Sequence, residues 1–250
     1  MKSDPALEAL WNDSPSCKRT FAPEQLVLLP PAARRYLEHA LARGTPLASA
    51  VRLRMHGEIK LKRWFPFTAE QVIAWDRGMV WSADARVYGL PVTGFDRLID
   101  HEGAMQWKLL GSIPLMRASG TDTTRSCAGR MLAESVWLPS ALCAETVVWS
   151  GAEDDTSRVC ARVNVEGECG PLTLGIDGAG RLESIVLPRW GSPDGGAPGY
   201  FPFGGVAEQE KTFGGVTIPT RLRVGWHRGT PRFDTDGEFF RCTIDHAEFR

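Results

Sequence analysis

The chain has 250 residues, 43% hydrophobic and 24% charged, and its 29 basic and 30 acidic side chains leave a formal net charge of -1. This is an ordinary globular composition with enough apolar mass for a core, and the length suits one large β-rich domain or two smaller ones. No block of like charge stands out: the basic stripe of a nucleic-acid binder is absent, and the chain is poor in the Lys clusters drawn to anionic membranes.

The start, MKSDPALEALWND, meets acidic residues at once and lacks the apolar stretch of a signal peptide. No run of about 18 apolar residues occurs, so no transmembrane segment is expected. The expected compartment is the cytoplasm, where Cys17, Cys127, Cys143, Cys160, Cys169 and Cys242 stay reduced. None of them forms a C-x-x-C pair, so they read as buried or incidental thiols rather than metal ligands.

In chain order, Asp4 of DPALEALW is a candidate N-cap and Pro5 suits a first helical position. PPAARRYLEHALARG predicts a helix from Pro31. Ala33, Tyr36, Leu37, Ala40 and Leu41 make its apolar face, His39 and Arg43 sit in its last turn, and Gly44 ends it. Residues 1–45 are thus expected as a helical segment packed on a sheet, and 46–250 as a single antiparallel unit. In VRLRMHGEIKLK, Val51, Leu53, Met55, Ile59 and Leu61 alternate with charged or polar residues, which predicts a strand with one wet face and a bulge or bend at Gly57. Short strand-like runs then recur between Gly- and Asp-rich turns, the pattern of an antiparallel meander.

One helix interrupts the meander near 121–136. Thr121 or Asp122 is its cap, Cys127, Met131, Leu132 and Ser135 share a face, and Pro139 stops the run. No long linker separates the halves, so the early and late strands are expected to join edge to edge. The fold class is α+β, mostly β: one strongly curved antiparallel sheet of about 11 strands, an incomplete barrel, with the N-terminal helices and the mid-chain helix covering its concave side.

No G-x-S-x-G, H-E-x-x-H, Walker or G-x-G-x-x-G motif occurs, and the five histidines show no ligand spacing. No catalytic residue, metal or cofactor is assigned. Nine tryptophans are many for this length; they read either as core and girdle residues or as the lining of an apolar pocket. The pocket candidates are Trp81, Trp107, Met131, Trp190, Tyr200, Phe201 and Phe203. The last four flank or lie within RWGSPDGGAPGYFPFGG, read as a Gly/Pro loop from Gly191 to Gly205 that either covers the open mouth or only seals the core. Arg130 and Glu134, one helical turn apart, are either a solvated pair or part of a buried polar cluster with Asp96 and Arg189.

Taken together, LPPAARRYLEHALARG, LRMHGEIKL, RWFPFTAEQV, GMVWSADA, GAMQWKLLG, AGRMLAESVWLP, PRWG, FPFGG, GVTIP and GEFFR resemble an uncharacterised prokaryotic family known only as a domain of unknown function. The resemblance spans roughly residues 28 to 245 and implies no activity. More distantly, the helix–meander–helix–meander order resembles the periplasmic lipoprotein-carrier fold, an incomplete barrel with an apolar cavity for acyl chains; those carriers are exported, a departure from the cytoplasmic reading above. The leading functional expectation is non-enzymatic binding of an apolar or lipid-like small molecule. An enzyme using the polar cluster in the same cavity is the alternative, and a protein-interaction module is a third.

Overall fold

Residues 4–151 and 156–250 are described by the computed structural model; the first three residues, part of the start read for a leader, lie outside the described residues. β1 (Ala50–Lys60) sets the architecture. Its alternation puts Val51, Leu53 and Met55 in the core and leaves Arg54 and His56 in water. Both of its edges are paired. On one side β2 (Trp64–Ala74), β3 (Gly78–Val87), β4 (Leu90–Ile99), β5 (Glu102–Leu109) and β6 (Ile113–Ser119) follow as a meander. On the other lies the second half: β7 (Val148–Ser150), β8 (Arg158–Arg162), β9 (Pro171–Ile176), β10 (Leu182–Gly191), β11 (Gly199–Phe213), β12 (Val216–Trp226) and β13 (Glu238–Phe249). β13 pairs with β1 from Val51↔Phe249 to Ile59↔Phe240, so the halves join edge to edge as expected. Among the described residues this makes one open antiparallel sheet of 13 strands, ordered β6-β5-β4-β3-β2-β1-β13-β12-β11-β10-β9-β8-β7.

The two outermost strands, β6 and β7, are consecutive in sequence. A flat sheet of this size would hold them roughly 58 Å apart. The segment between them is led by α3 (Thr121–Glu134), 14 residues and about 21 Å long. The sheet therefore curves until α3 spans its concave side, where it packs on β4, β5 and β10. α2 (Pro31–Ala40) shares that core through Ala33, Tyr36, Leu37 and Ala40. α1 (Pro5–Asn12) takes the other face, where Leu7, Leu10 and Trp11 pack on Ala50, Val72, Ala74 and Val80. These strand residues are the alternates of Val51, Ile73 and Met79, so the N-terminal helices cover both faces rather than the concave one alone.

Five local expectations change. α2 stops at Ala40 rather than at Gly44, because Leu41 turns extended to bridge Val216 and the Ala42 N–H donates to the Gly215 carbonyl at 2.9 Å. Gly57 is not a bulge; the register slips instead between Arg54 and Met55, and Gly57 is needed because a Cβ there would strike the Arg241 carbonyl. Leu61 lies beyond the strand and is exposed. The cap of α3 is Gly120, with φ of 93°, rather than Thr121 or Asp122. The Gly/Pro segment from Gly191 to Gly205 is mostly hairpin, with only residues 192–198 connecting β10 to β11 and Trp190↔Tyr200, Arg189↔Phe201 and Leu187↔Phe203 in register. Its aromatics favour extended backbone, and that preference overrides the turn-like composition around them.

Candidate functional site

On α3 and the turn after it, Ser126, Arg130, Ala133, Glu134 and Trp137 recur at helical spacing and face the concave sheet. Between that face and the strands lies a cavity of about 320 Å³. Trp81, Met105 and Trp107 wall it from the first half of the sheet, and Phe203, Trp226 and Phe240 from the second. The rings form two packed groups: Trp81 is 5.8 Å from Trp107 and 6.1 Å from Phe240, and Phe203 is 5.1 Å from Trp226. Such aromatic pairs add packing specificity to the area they bury.

The polar side of the cavity is built around two arginines. Arg130 donates through Nε to Glu134 Oε1 and through Nη1 to Asp96 Oδ2, both at 2.7 Å, and its guanidinium lies 5.0 Å from the Trp81 ring. Gln71 donates to the other Glu134 oxygen at 2.6 Å. Burial alone would lower the Arg130 pKa, but the Glu134 and Asp96 carboxylates hold it above its ordinary value. Burial also raises the Asp96 carboxyl, against the pull of Arg130 and Arg189.

Arg189 differs. Its Nε donates to the Ser126 carbonyl at 3.0 Å and its Nη2 to Ser126 Oγ at 3.2 Å, and no carboxylate lies within ion-pair distance among the described residues. The guanidinium rests 4.4 Å from the Phe203 ring and 5.2 Å from Trp226. Burial and the neighbouring Arg130 charge push its pKa down to about 10. It reaches this place past Gly129, where a Cβ would stand 2.9 Å from Arg189 Cγ. Two further polar atoms of cavity-lining residues, Trp81 Nε1 and Asp96 Oδ1, are buried without a hydrogen-bond partner among the described residues.

Residues 27–249 match the model of DUF6920, a family of unknown function. The chain belongs to this family. Two solved structures overlap the DUF6920 chain weakly. One is a domain assigned to outer membrane lipoprotein sorting from Vibrio parahaemolyticus, with a TM-score of 0.42, 8% identity, and 92% of this chain and 94% of that one covered. The other is a LolA superfamily protein from Nitrosomonas europaea, with a TM-score of 0.43, 9% identity, and 90% and 94% covered. Overlap of that degree assigns no site and no ligand. No curated protein matched.

Of the residues singled out in the sequence, this DUF6920 member brings seven to the cavity: Trp81, Trp107, Phe203, Asp96, Arg130, Glu134 and Arg189. Met131 lies one position around α3 from Arg130 and is buried in the main core instead. Trp190 and Tyr200 leave the cavity to clasp the first turns of α3. Trp190 donates to Asp122 at 2.8 Å, and Arg125 stacks on the Trp190 ring and bonds Tyr200 Oη. Phe201 is half-buried outside the cavity wall. The segment read as either covering the mouth or sealing the core is therefore a clamp on α3, with Phe203 its one ring at the pocket. Trp226, Phe240, Trp137 and Met105 were not singled out. For Trp226 the signal was available, since Leu222, Val224 and Trp226 alternate along β12 and all line the cavity. No group of three or more His, Cys, Asp or Glu suited to a metal occurs among the described residues.

Proposed function

We propose that this chain binds, without converting it, a lipid-like small molecule whose apolar chain occupies the cavity under α3 and whose acidic head group meets Arg189. The observation that carries the reading is a half-buried guanidinium with no carboxylate within ion-pair distance among the described residues, set against an aromatic cavity of about 320 Å³. A buried cation without a counter-ion is costly, and an anion is the partner that relieves it. The unpartnered Trp81 N–H is a second donor in the same wall. We place the protein in a reducing compartment, the cytoplasm, on the support of its six free thiols.

The test is a titration with straight-chain fatty acids of increasing length and the matching alcohols, read by tryptophan fluorescence. Each buried methylene contributes about 0.8 kcal/mol, so affinity should rise about fourfold per carbon until the cavity is full. Arg189→Gln should abolish the preference for acid over alcohol while leaving the length dependence intact. A wild type that binds neither series, or binds both equally, overturns the assignment of Arg189.

A second reading rests on Asp96, whose carboxyl is raised by burial and presents an unpartnered Oδ1 in the same cavity, as an acid–base group would. Its support is weakened by the Arg130 clamp on Oδ2. Conversion of a bound probe seen by mass spectrometry, and lost in Asp96→Asn, would replace the binder with an enzyme.

A further inference from the structure

At one end of the sheet the β1–β2, β3–β4 and β5–β6 hairpins turn side by side, as alternate connections of an antiparallel meander must. Contacts tie them together. The Phe65 ring lies 4.9 Å from Tyr88, and the Leu110 N–H donates to the Pro91 carbonyl at 2.9 Å. The three tips, residues 60–64, 86–91 and 108–115, contain Lys60, Lys62, Arg63, Arg86 and Lys108, while Asp84 stands in register with Lys108 across β4. None of these five forms an ion pair among the described residues. In a chain of net charge -1, basic side chains thus outnumber acidic ones at these tips.

The same tips expose large apolar side chains: Leu61, Tyr88, Leu90, Leu110, Ile113 and Leu115 are all between 48% and 70% exposed. Two of them occupy unfavourable backbone. Tyr88 and Leu110 have φ of 51° and 54°, each followed by a glycine at 81° and 72°. This is the tight hairpin turn whose first position favours Asn, Asp or Gly. A bulky residue there is strained; Leu110 is largely exposed, and Tyr88 has only its edge contact with Phe65 to set against the strain. The turns at the opposite end carry Asp76–Arg77 and Asp100–His101. Apolar tips thus mark one end alone. Met116, on β6, is half-exposed beside this rim and also lines the cavity, so the two features are continuous.

We infer that these three hairpin tips, and not the β10–β11 and β12–β13 connections that carry Asp194, Asp234 and Asp236 at the same end, dock on an anionic lipid surface, with the apolar side chains entering the interface and the five cations meeting acidic head groups. Cations flanking exposed apolar and aromatic residues are what such an interface selects. A second copy of the chain docked through the same tips fits poorly, because its five like charges would oppose these five. The inference goes beyond the cavity reading and fails separately from it.

Flotation with phosphatidylcholine vesicles, with and without phosphatidylglycerol, tests it. The wild type should float with the anionic vesicles only, and release when salt shortens the Debye length to about 3 Å. The Lys60→Gln/Lys62→Gln/Arg63→Gln variant should bind about 100-fold more weakly, at about fivefold per cation removed. Leu110→Asn, which keeps the turn, should also weaken binding. Both variants should retain the wild-type circular dichroism. Arg189→Gln should float like the wild type, which separates this surface from the cavity. Equal binding to both vesicle types, no binding, or tip variants that float unchanged would overturn the inference. So would a wild-type dimer that ignores vesicles and becomes monomeric on Leu110→Asn, since it would give the face to a second copy.

Discussion

Arg130 is held by two carboxylates in a wall that water barely reaches, with side-chain exposures of 13% for Arg130, 17% for Asp96 and 11% for Glu134. Removing one partner of such a group costs far more than breaking a surface pair. Glu134→Gln should therefore destabilise the protein by about 3 kcal/mol in urea unfolding; a loss below about 0.5 kcal/mol would mean that solvent screens the pair. Asp96 has the opposite character. Because burial raises its folded-state pKa above the unfolded 3.8, the folded state binds the proton more tightly. Its favourable contribution is complete below about pH 3.8 and is lost as pH rises through the folded value. Wild type should accordingly gain stability relative to Asp96→Asn as pH falls through that window, and parallel pH profiles of the two would exclude the shift.

β1 shows how one element carries the fold. Leu53 is fully buried while Arg54 is two-thirds exposed and meets Glu70 at 3.4 Å on β2. Leu53→Asp should cost about 4 kcal/mol or more, because it buries a charge without a partner, whereas Arg54→Gln should stay within about 0.5 kcal/mol. Equal shifts in melting temperature would contradict the side-chain assignment of the strand. The β5–β6 turn makes the reverse case. Leu110 holds a left-handed conformation that Asn adopts readily, so Leu110→Asn should raise stability by about 0.5–1 kcal/mol in thermal melts even as it weakens lipid docking. A stabilising change that removes a binding feature is what a strained functional turn entails.

At the scale of the whole molecule, curvature couples the parts. The connection from β6 to β7 pulls α3 across the concave side, and α3 then holds Arg130 and Glu134 over strands from both halves. A ligand in that cavity touches both halves at once, and it binds only the folded chain. At a hundredfold excess over its Kd it should add about 2.7 kcal/mol, which for a chain of this size raises the melting temperature by about 5–10 °C. The rise should occur with a long-chain fatty acid and shrink in Arg189→Gln; a melting temperature indifferent to every acyl probe would speak against the cavity as a binding site.

Much of this architecture was legible in the residues. The period of two in Val51 to Ile59 marked β1 and its core face, the spacing of Ala33, Tyr36, Leu37 and Ala40 marked α2, and Arg130 with Glu134 marked a pair worth testing. These are local patterns, and local patterns follow from the pitch of a helix and the pleat of a strand. Three features were decided by the tertiary structure. Trp190 and Tyr200 clamp α3 rather than line the pocket because the register of β10 and β11 places them beside Asp122 and Arg125. Arg189 lacks a carboxylate because Glu134 and Asp96 are both spent on Arg130. The basic, apolar rim was not legible as a whole because its cations run from residue 60 to residue 108, and only the meander, by turning three hairpins at one end, gathers them. Charge adds in space, and sequence distance says nothing about it until the strand order is known.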